Sequence, residues 1–187
     1  MCILVAFRAL QVHFKAKYER FENSMSKHFD SSSQNIQFAI VTVSDTRTSN
    51  DDYSGDRIAE ISLHAGHAIV LRKRVHDEID AIRAAIVHAV ELGSQCIVLT
   101  GGTGLAHRDV TIEAVEPLLT KRLDGFGEAF RRLSWEQIGP HAMLSRALAG
   151  SYGRVLIVVL PGSTKAVELA MTQLVLPIVG HAIALLE

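Results

Sequence analysis

Residues 96–111, CIVLTGGTGLAHRDVT, join a short apolar run to a loop that contains three glycines. The run from Cys96 to Thr100 is typical of a strand that is buried on both faces of a parallel sheet. Glycine is favoured where the backbone takes unusual dihedral angles or where a ligand must approach it closely. This stretch therefore predicts a buried strand, followed by a loop that is either a tight turn or a binding site.

Similar apolar runs occur elsewhere in the chain and alternate with stretches of helical periodicity. The other predicted strands are Phe38–Val43, Ala68–Val75 and Val155–Leu160. The first two predicted helices have apolar stripes that include Ile58 and Ile61, and that run from Ile79 to Val90. Further helices are predicted at 112–119, at 126–137 and from Pro140 through Leu148. The last one spans 164–186 and is interrupted at Pro177. Strands that alternate with helices pair in parallel through crossover connections. The fold class is therefore α/β, a three-layer α/β/α domain with a mostly parallel sheet.

Composition argues against nucleic acid and membranes as partners. The chain has 187 residues, with 19 Lys and Arg against 20 Asp and Glu, and the basic residues are scattered among acids. We therefore expect no nucleic-acid partner. The apolar start Met1–Phe7 is too short to cross a bilayer, so no membrane partner is expected either. Two cysteines, one of them within the apolar run 96–99, are typical of a cytoplasmic protein.

The N-terminal region lacks the periodic pattern of the rest. Residues 1–35 mix charged, aromatic and polar types, and Met25 offers an alternative start. We interpret 1–35 as an arm that is poorly ordered or an upstream extension, and 36–187 as the functional domain.

Four loops leave the carboxyl edge of the predicted sheet, where ligands bind in open parallel sheets. They are Ser44–Arg47, His76–Glu78, Gly101–Asp109 and Pro161–Ser163. The aspartates of these loops also have ordinary structural explanations. Asp77 and Asp109 could cap helices, and Asp45 could bond its own backbone in a turn. The nine histidines show no metal-binding spacing. The shared position of the loops nevertheless predicts one pocket.

Several motifs in order resemble one known family. Thr100–Gly104 followed by Arg108–Thr111 is similar to the signature of the MoaB/MogA family of molybdenum cofactor biosynthesis proteins. The resemblance continues through Gly125–Arg131, Met143–Ala147 and Leu160–Ser163, and covers the chain from Phe38 to the C-terminus. The ending Pro161–Lys165 resembles the MoaB branch.

The resemblance implies a molybdopterin-binding domain that assembles as a homotrimer or homohexamer. In the MogA branch it implies an adenylyltransferase that joins the terminal phosphate of the pterin to AMP from Mg-ATP. Asp77 and Asp109 correspond to the two catalytic carboxylates of the family. The resemblance and the loop positions together give a ligand-binding set: Ser44, Asp45, Thr100, Gly101, Gly102, Thr103, Gly104, Ser145, Pro161, Gly162 and Ser163.

The implied reaction brings negatively charged phosphates together, which favours a bound metal ion. Two unit charges of the same sign about 4 Å apart repel by roughly 4 kcal/mol at an effective dielectric constant of about 20. The loops offer no obvious lysine for phosphate, so we expect Asp77 and Asp109 to hold Mg²⁺ and the amides of Gly101–Gly104 to donate to phosphate. Two alternatives stay open: a non-catalytic molybdopterin-binding or scaffold protein, and a domain that binds another nucleotide-like ligand.

Overall fold

A computed structural model describes residues 35–45 and 51–187. The predicted N-terminal arm and the alternative start at Met25 lie outside these residues, apart from Asn35. The same holds for Thr46 and Arg47 of the first predicted loop.

Within the described residues, six strands form one sheet, and helices cover both of its faces. The strands are β1 (Gln37–Val43), β2 (Ala68–Val75), β3 (Cys96–Thr100), β4 (Lys121–Arg122), β5 (Leu148–Tyr152) and β6 (Val155–Leu160). The α-helices are α1 (Tyr53–His64), α2 (Ile79–Glu91), α3 (Thr111–Val115), α4 (Asp124–Ile138), α5 (Thr164–Ala170) and α6 (Leu176–Ala184). Short 3₁₀ segments, Glu116–Leu118 and Gly139–Leu144, follow α3 and α4, and a π-helical segment, Met171–Val175, joins α5 to α6.

The strand order is β2-β1-β3-β6-β5-β4. β1 pairs in parallel with β2 and β3, and β3 pairs in parallel with β6. β5 runs antiparallel to both β6 and β4. The carboxyl ends of β1, β2, β3 and β6 therefore lie at one edge of the sheet, which confirms the mostly parallel sheet that the sequence predicts.

Successive residues of the central strands belong to two separate cores. Phe38 and Ile40 pack with side chains of α1, α4, α5 and α6, whereas Ala39 and Val41 pack with side chains of α2 and α3. A strand that sends alternate side chains to opposite faces requires cover on both. The three-layer α/β/α arrangement is thus confirmed.

The stretch after α4 differs from the prediction. The expected helical segment through Leu148 is wrong: its helical part ends at Leu144, and Leu148 begins β5. β5 then returns to β6 through the two-residue turn Gly153–Arg154, in which Gly153 has a φ of +57°. Glycine with positive φ suits the tight turn of a hairpin, and the resulting antiparallel strands were not predicted.

The helix that closes the chain is a core helix. The stretch Thr164–Ala184 is the one helix within the described residues that is long and apolar enough to cross a membrane by length and composition. Its apolar face instead completes the core beneath the sheet, with Val167, Met171, Val175 and Val179 all buried. The interruption expected at Pro177 is present as the π-helical segment that ends two residues earlier.

Asp52 fixes the start of α1 and is the basis of a first prediction. Its carboxylate accepts hydrogen bonds from the amide of Gly55 at 3.0 Å and from the hydroxyl of buried Thr42 at 2.8 Å. We expect Asp52→Ala to lower the free energy of unfolding by roughly 1 to 3 kcal/mol, because the cap is lost and a buried hydroxyl is left without its acceptor.

Urea denaturation measures this loss. Ser163→Ala is the matched control, because Ser163 caps α5 through the amide of Ala166 but holds no buried hydroxyl. It should cost about 1 kcal/mol. Equal losses in the two variants would show that the Thr42 contact contributes nothing.

Candidate functional site

A cavity of about 400 Å³ opens at the carboxyl edge of the four parallel strands. All four of their loops contribute to it, together with the residues that precede β5. The lining residues are Val43, Ser44, Asp45, Asp77, Gly101, Gly102, Thr103, Gly104, Arg108, Asp109, Leu144, Ser145, Pro161 and Gly162. The shared pocket predicted from the loop positions is therefore present.

The glycine loop that follows β3 requires two of its glycines. Gly101 and Gly102 have φ angles of +98° and +60°, a region that side chains with a Cβ atom rarely adopt. A Cβ atom on Gly101 would collide with the carbonyl oxygen of Val43, and one on Gly102 would collide with the carboxylate of Asp77. The glycines thus let the loop lie directly against β1 and against an acidic side chain.

Thr111 closes the loop. Its hydroxyl donates to the carbonyl of Gly101 at 2.8 Å, and its amide donates to the carbonyl of Gly102 at 2.9 Å. The amide of Gly101 donates to the carbonyl of Leu160 at 3.1 Å. That amide is therefore engaged, and the expectation that Gly101–Gly104 all donate to phosphate is wrong for Gly101.

The next three amides are available. Within the described residues, the N–H groups of Gly102, Thr103 and Gly104 have no hydrogen-bond acceptor. Successive unpaired amides in such a loop form a concave anion-binding site. The glycine loop is therefore suited to hold a phosphate group.

Arg146 binds the other side of this loop. Its Nε donates to the carbonyl of Thr103 at 2.8 Å, and its Nη2 donates to the carbonyls of Gly104 at 2.8 Å and Asp109 at 3.3 Å. A further bond of 2.5 Å joins Nη1 to Glu113 of α3. One side chain from the connection before β5 thereby holds the loop that follows β3.

Asp45 links the loops of β1 and β2. Its carboxylate accepts from the amide of Asp77 at 3.0 Å and lies 3.2 Å from Nδ1 of His76. The bond from Asp77, helped by His76, lowers the pKa of Asp45. The interpretation of Asp45 as a residue that only bonds its own turn is wrong, because it reaches across to another strand's loop.

Asp77 is the least satisfied acid of the cavity. Its Oδ1 atom is buried and has no hydrogen-bond partner within the described part of the chain. Burial raises the pKa of Asp77, and the charges of Asp45 and Asp109 add to the rise, while Arg108 opposes it. A buried carboxylate oxygen without a donor is suited to a cation.

Asp109 lies near the same position at the end of the glycine loop. Its Oδ2 accepts from the amide of Ala106 at 3.1 Å, and it packs closely against Gly104. The N-cap residues of α2 and α3 are Glu78 and Val110, and neither helix has a side-chain cap bond. The interpretation of Asp77 and Asp109 as helix caps is therefore wrong.

Two residues of the predicted ligand-binding set lie outside the cavity lining. Thr100 is fully buried and donates to the carbonyl of Pro161 at 3.2 Å, so it ties two of the loops together. Ser163 caps α5. Nine of the set line the cavity: Ser44, Asp45, Gly101, Gly102, Thr103, Gly104, Ser145, Pro161 and Gly162.

Sequence reasoning missed two arginines as site residues. Arg108 lines the cavity, and its positive charge acts on Asp45 and Asp77 by lowering the pKa of each carboxyl group. Its position in the loop beside Asp109 was a usable signal. Arg146 acts through backbone carbonyls 37 to 43 residues away in sequence, a relation that no local pattern carries.

Comparison with known proteins agrees with this geometry. The profile of a family described as "Probable molybdopterin binding domain" matches residues 39–181. Molybdenum cofactor biosynthesis protein B of Bacillus cereus is 44% identical over 160 residues, which cover 84% of this chain and 95% of that protein.

Two crystal structures are also similar. One is of a molybdenum cofactor biosynthesis protein B, with 43% identity, a TM-score of 0.79, and coverage of 82% of this chain and 96% of that chain. The other is of the tungsten cofactor synthesizing protein MoaB from Pyrococcus furiosus, with 35% identity, a TM-score of 0.75, and coverage of 82% and 98%.

Proposed function

Because this chain belongs to the MoaB-type molybdenum cofactor biosynthesis proteins and carries their molybdopterin-binding domain, we propose that it adenylylates the terminal phosphate of molybdopterin with Mg-ATP. One observation carries the proposal. The cavity places three unpaired loop amides beside a buried carboxylate oxygen that lacks a partner. An anion site next to a cation site is what a reaction between two phosphates requires.

The anion side of the cavity consists of backbone amides and one arginine. The amides of Gly102, Thr103 and Gly104 would donate to phosphate oxygens, and the guanidinium of Arg108 would compensate their charge. The loops lack a lysine for phosphate, and Arg108 would supply the cationic side chain in its place. Ser145 lines the same cavity and would contact the pterin substrate.

The donor chemistry of the cavity also fits Mg²⁺. The orphaned Oδ1 of Asp77 and the nearby carboxylate of Asp109 would be its protein ligands. Magnesium is commonly held by one or two carboxylates, with phosphates and water completing its shell. This suits a site where the described residues contain no group of three or more metal-binding side chains. When bound, the ion supplies positive charge between the reacting phosphates.

The residues of this chain would act by positioning and charge compensation. An oxygen of the terminal phosphate attacks the α-phosphorus of ATP, so that a new P–O bond forms while the bond to pyrophosphate breaks. The attacking phosphate is already ionised at neutral pH, and no side chain is needed as a general base. The acids of the cavity are therefore assigned to binding the cation rather than to proton transfer.

A single labelled assay tests the proposal. Purified protein is incubated with molybdopterin, Mg²⁺ and ATP labelled either at the α- or at the γ-phosphorus. The α label should appear in the pterin product and the γ label in pyrophosphate. Pterin binding without transfer would instead identify a non-catalytic binding protein, and nucleotide binding without pterin binding would identify a domain for another ligand.

We further propose that the protein assembles as a homotrimer or homohexamer. Four large apolar side chains on α4 and on the 3₁₀ segment after it are 47% to 68% exposed. They are Trp135, Ile138, Met143 and Leu144. Clusters of this kind mark protein contacts. Light scattering at micromolar concentration should give the mass of three or of six chains of 20.5 kDa each. A monomeric mass would contradict the assembly, and Trp135→Glu should produce one if this face is the contact.

We propose that the protein acts in the cytoplasm. Cys96 is a free thiol buried in β3, which suits a reducing compartment. The one long apolar helix of the described chain is occupied in the core.

A further inference from the structure

We propose that Arg146 is a positioning residue that turns the glycine loop into an anion site by holding its carbonyl groups away from the cavity. The inference concerns the loop itself, and it rests on the proposed function only where turnover is measured. It assigns a role to a side chain that does not line the glycine-loop cavity.

The first step is the hydrogen-bond pattern of four consecutive carbonyls. Thr111 engages the carbonyls of Gly101 and Gly102. Arg146 engages those of Thr103 and Gly104, both at 2.8 Å. Every carbonyl from 101 to 104 is therefore bound on the side of α3 and β5. The amides of 102 to 104 are the groups left without an acceptor in the described chain.

The second step is electrostatic. A peptide unit that rotated would present its carbonyl oxygen to the cavity in place of its amide, and that oxygen would repel a phosphate. A guanidinium holds two carbonyls at once, because its donors are fixed in one plane. Its charge also strengthens these bonds. Arg146 thereby disfavours the rotated loop without touching the ligand.

The third step connects the two halves of the site. Arg146 also reaches the carbonyl of Asp109 at 3.3 Å, and its neighbour Ser145 lines the cavity. The same side chain thus fixes the peptide unit that carries the Gly104 amide relative to the proposed cation ligand, while Thr111 holds the two units before it. Glu113 holds the guanidinium from the far side, with a side chain that is 49% exposed.

The test compares two replacements of Arg146, with inorganic pyrophosphate as the probe in isothermal titration calorimetry. Arg146→Lys keeps the charge but cannot hold several carbonyls in one plane, and Arg146→Gln loses the charge as well. We expect Arg146→Lys to bind pyrophosphate at least about tenfold more weakly than the wild type, and Arg146→Gln more weakly still.

Two controls isolate the contact to the loop. Glu113→Gln removes the ion pair but leaves the carbonyl contacts, and its affinity should stay within about threefold of the wild type. Arg122→Lys changes an arginine that pairs with Glu116 and Asp124 and should have no effect. Melting temperatures are measured for all variants. In Arg146→Ala, methylguanidinium should restore pyrophosphate binding and methylammonium should not.

The possible results separate this inference from the proposed function. Wild-type affinity in Arg146→Lys, or no pyrophosphate binding by the wild type, would overturn the role of Arg146. Loss of affinity in Arg146→Lys at an unchanged melting temperature supports it. If the wild type then binds molybdopterin and ATP but transfers no adenylyl group, the proposed reaction fails and the role of Arg146 stands.

Discussion

Replacing Asp77 or Asp109 with asparagine should reduce adenylyl transfer by at least about two orders of magnitude. The substitution keeps the size of the side chain but removes the charge that would bind the cation. Neither residue caps a helix, so the fold does not depend on these carboxylates through capping. Transfer from α-labelled ATP at saturating Mg²⁺ measures the effect. Asp80→Asn, on the exposed first turn of α2, is the matched control and should retain activity.

The double variant tests whether the two aspartates bind the same ion. If both carboxylates serve one magnesium ion, the Asp77→Asn, Asp109→Asn protein should lose far less than the product of the two single losses. Multiplicative losses would indicate separate roles. Full activity in either single variant would remove that aspartate from the cation site.

Asp77→Asn should stabilise the folded protein when no ligand or metal is present. Burial raises the pKa of Asp77, so in the folded state its ionised form is disfavoured relative to the unfolded chain. This penalty is absent below the unfolded pKa, grows as the pH rises through the interval up to the folded pKa, and is full above it. Asp77→Asn should therefore melt higher than the wild type at neutral pH, by an amount worth less than about 1 kcal/mol at this partly exposed position.

A pH series of melting temperatures in magnesium-free buffer checks the sign. The difference between Asp77→Asn and the wild type should shrink as the pH falls toward about 4, where the unfolded aspartate is protonated. A variant that melts lower than the wild type at neutral pH would show that the charged carboxylate stabilises the empty site.

Gly101→Ala should lower the free energy of unfolding by about 2 to 5 kcal/mol. A φ of +98° strains any residue with a Cβ atom, by roughly 1 to 2 kcal/mol. The added Cβ would also collide with the carbonyl oxygen of Val43, a backbone atom that cannot rotate away, and such overpacking costs about 1 to 3 kcal/mol. Either β1 or the loop must move, and both line the cavity.

Gly66→Ala separates the two contributions. Gly66 has a φ of +83°, but nothing lies within 4 Å of a Cβ atom built there. It should show only the strain, about 1 to 2 kcal/mol, and keep ligand binding. Urea denaturation and molybdopterin titration measure both variants. Equal losses would mean that β1 accommodates the extra methyl group.

The sequence predicted the elements whose signal is local. Cys96–Thr100 and Val155–Leu160 agree with the prediction in both bounds, because each is an apolar run flanked by turn residues. The common position of the loops followed from the rule that parallel strands share a carboxyl edge. That rule predicts one cavity for Asp45, Asp77 and the glycine loop, and all three line the same cavity in the structure.

The elements that were missed depend on pairing across the chain. β5, with the sequence LAGSY, has weak strand propensity, and β4 has only two residues. Each is a strand because a neighbour supplies its hydrogen bonds. The turn Gly153–Arg154 before an apolar run was the local sign of this hairpin. The contacts of Arg146 left no comparable sign, since their acceptors are backbone carbonyls.

In the part of the chain that the structure describes, both edges of the six-stranded sheet resist extension by a further strand. At one margin β2 exposes Arg72, Lys73 and Arg74, and at the other β4 consists of two exposed basic residues, Lys121 and Arg122. Positive side chains and very short strands prevent a foreign strand from adding to a margin, because its backbone would have to desolvate these charges. At high local concentration, these two margins therefore disfavour the joining of sheets from neighbouring copies of the protein.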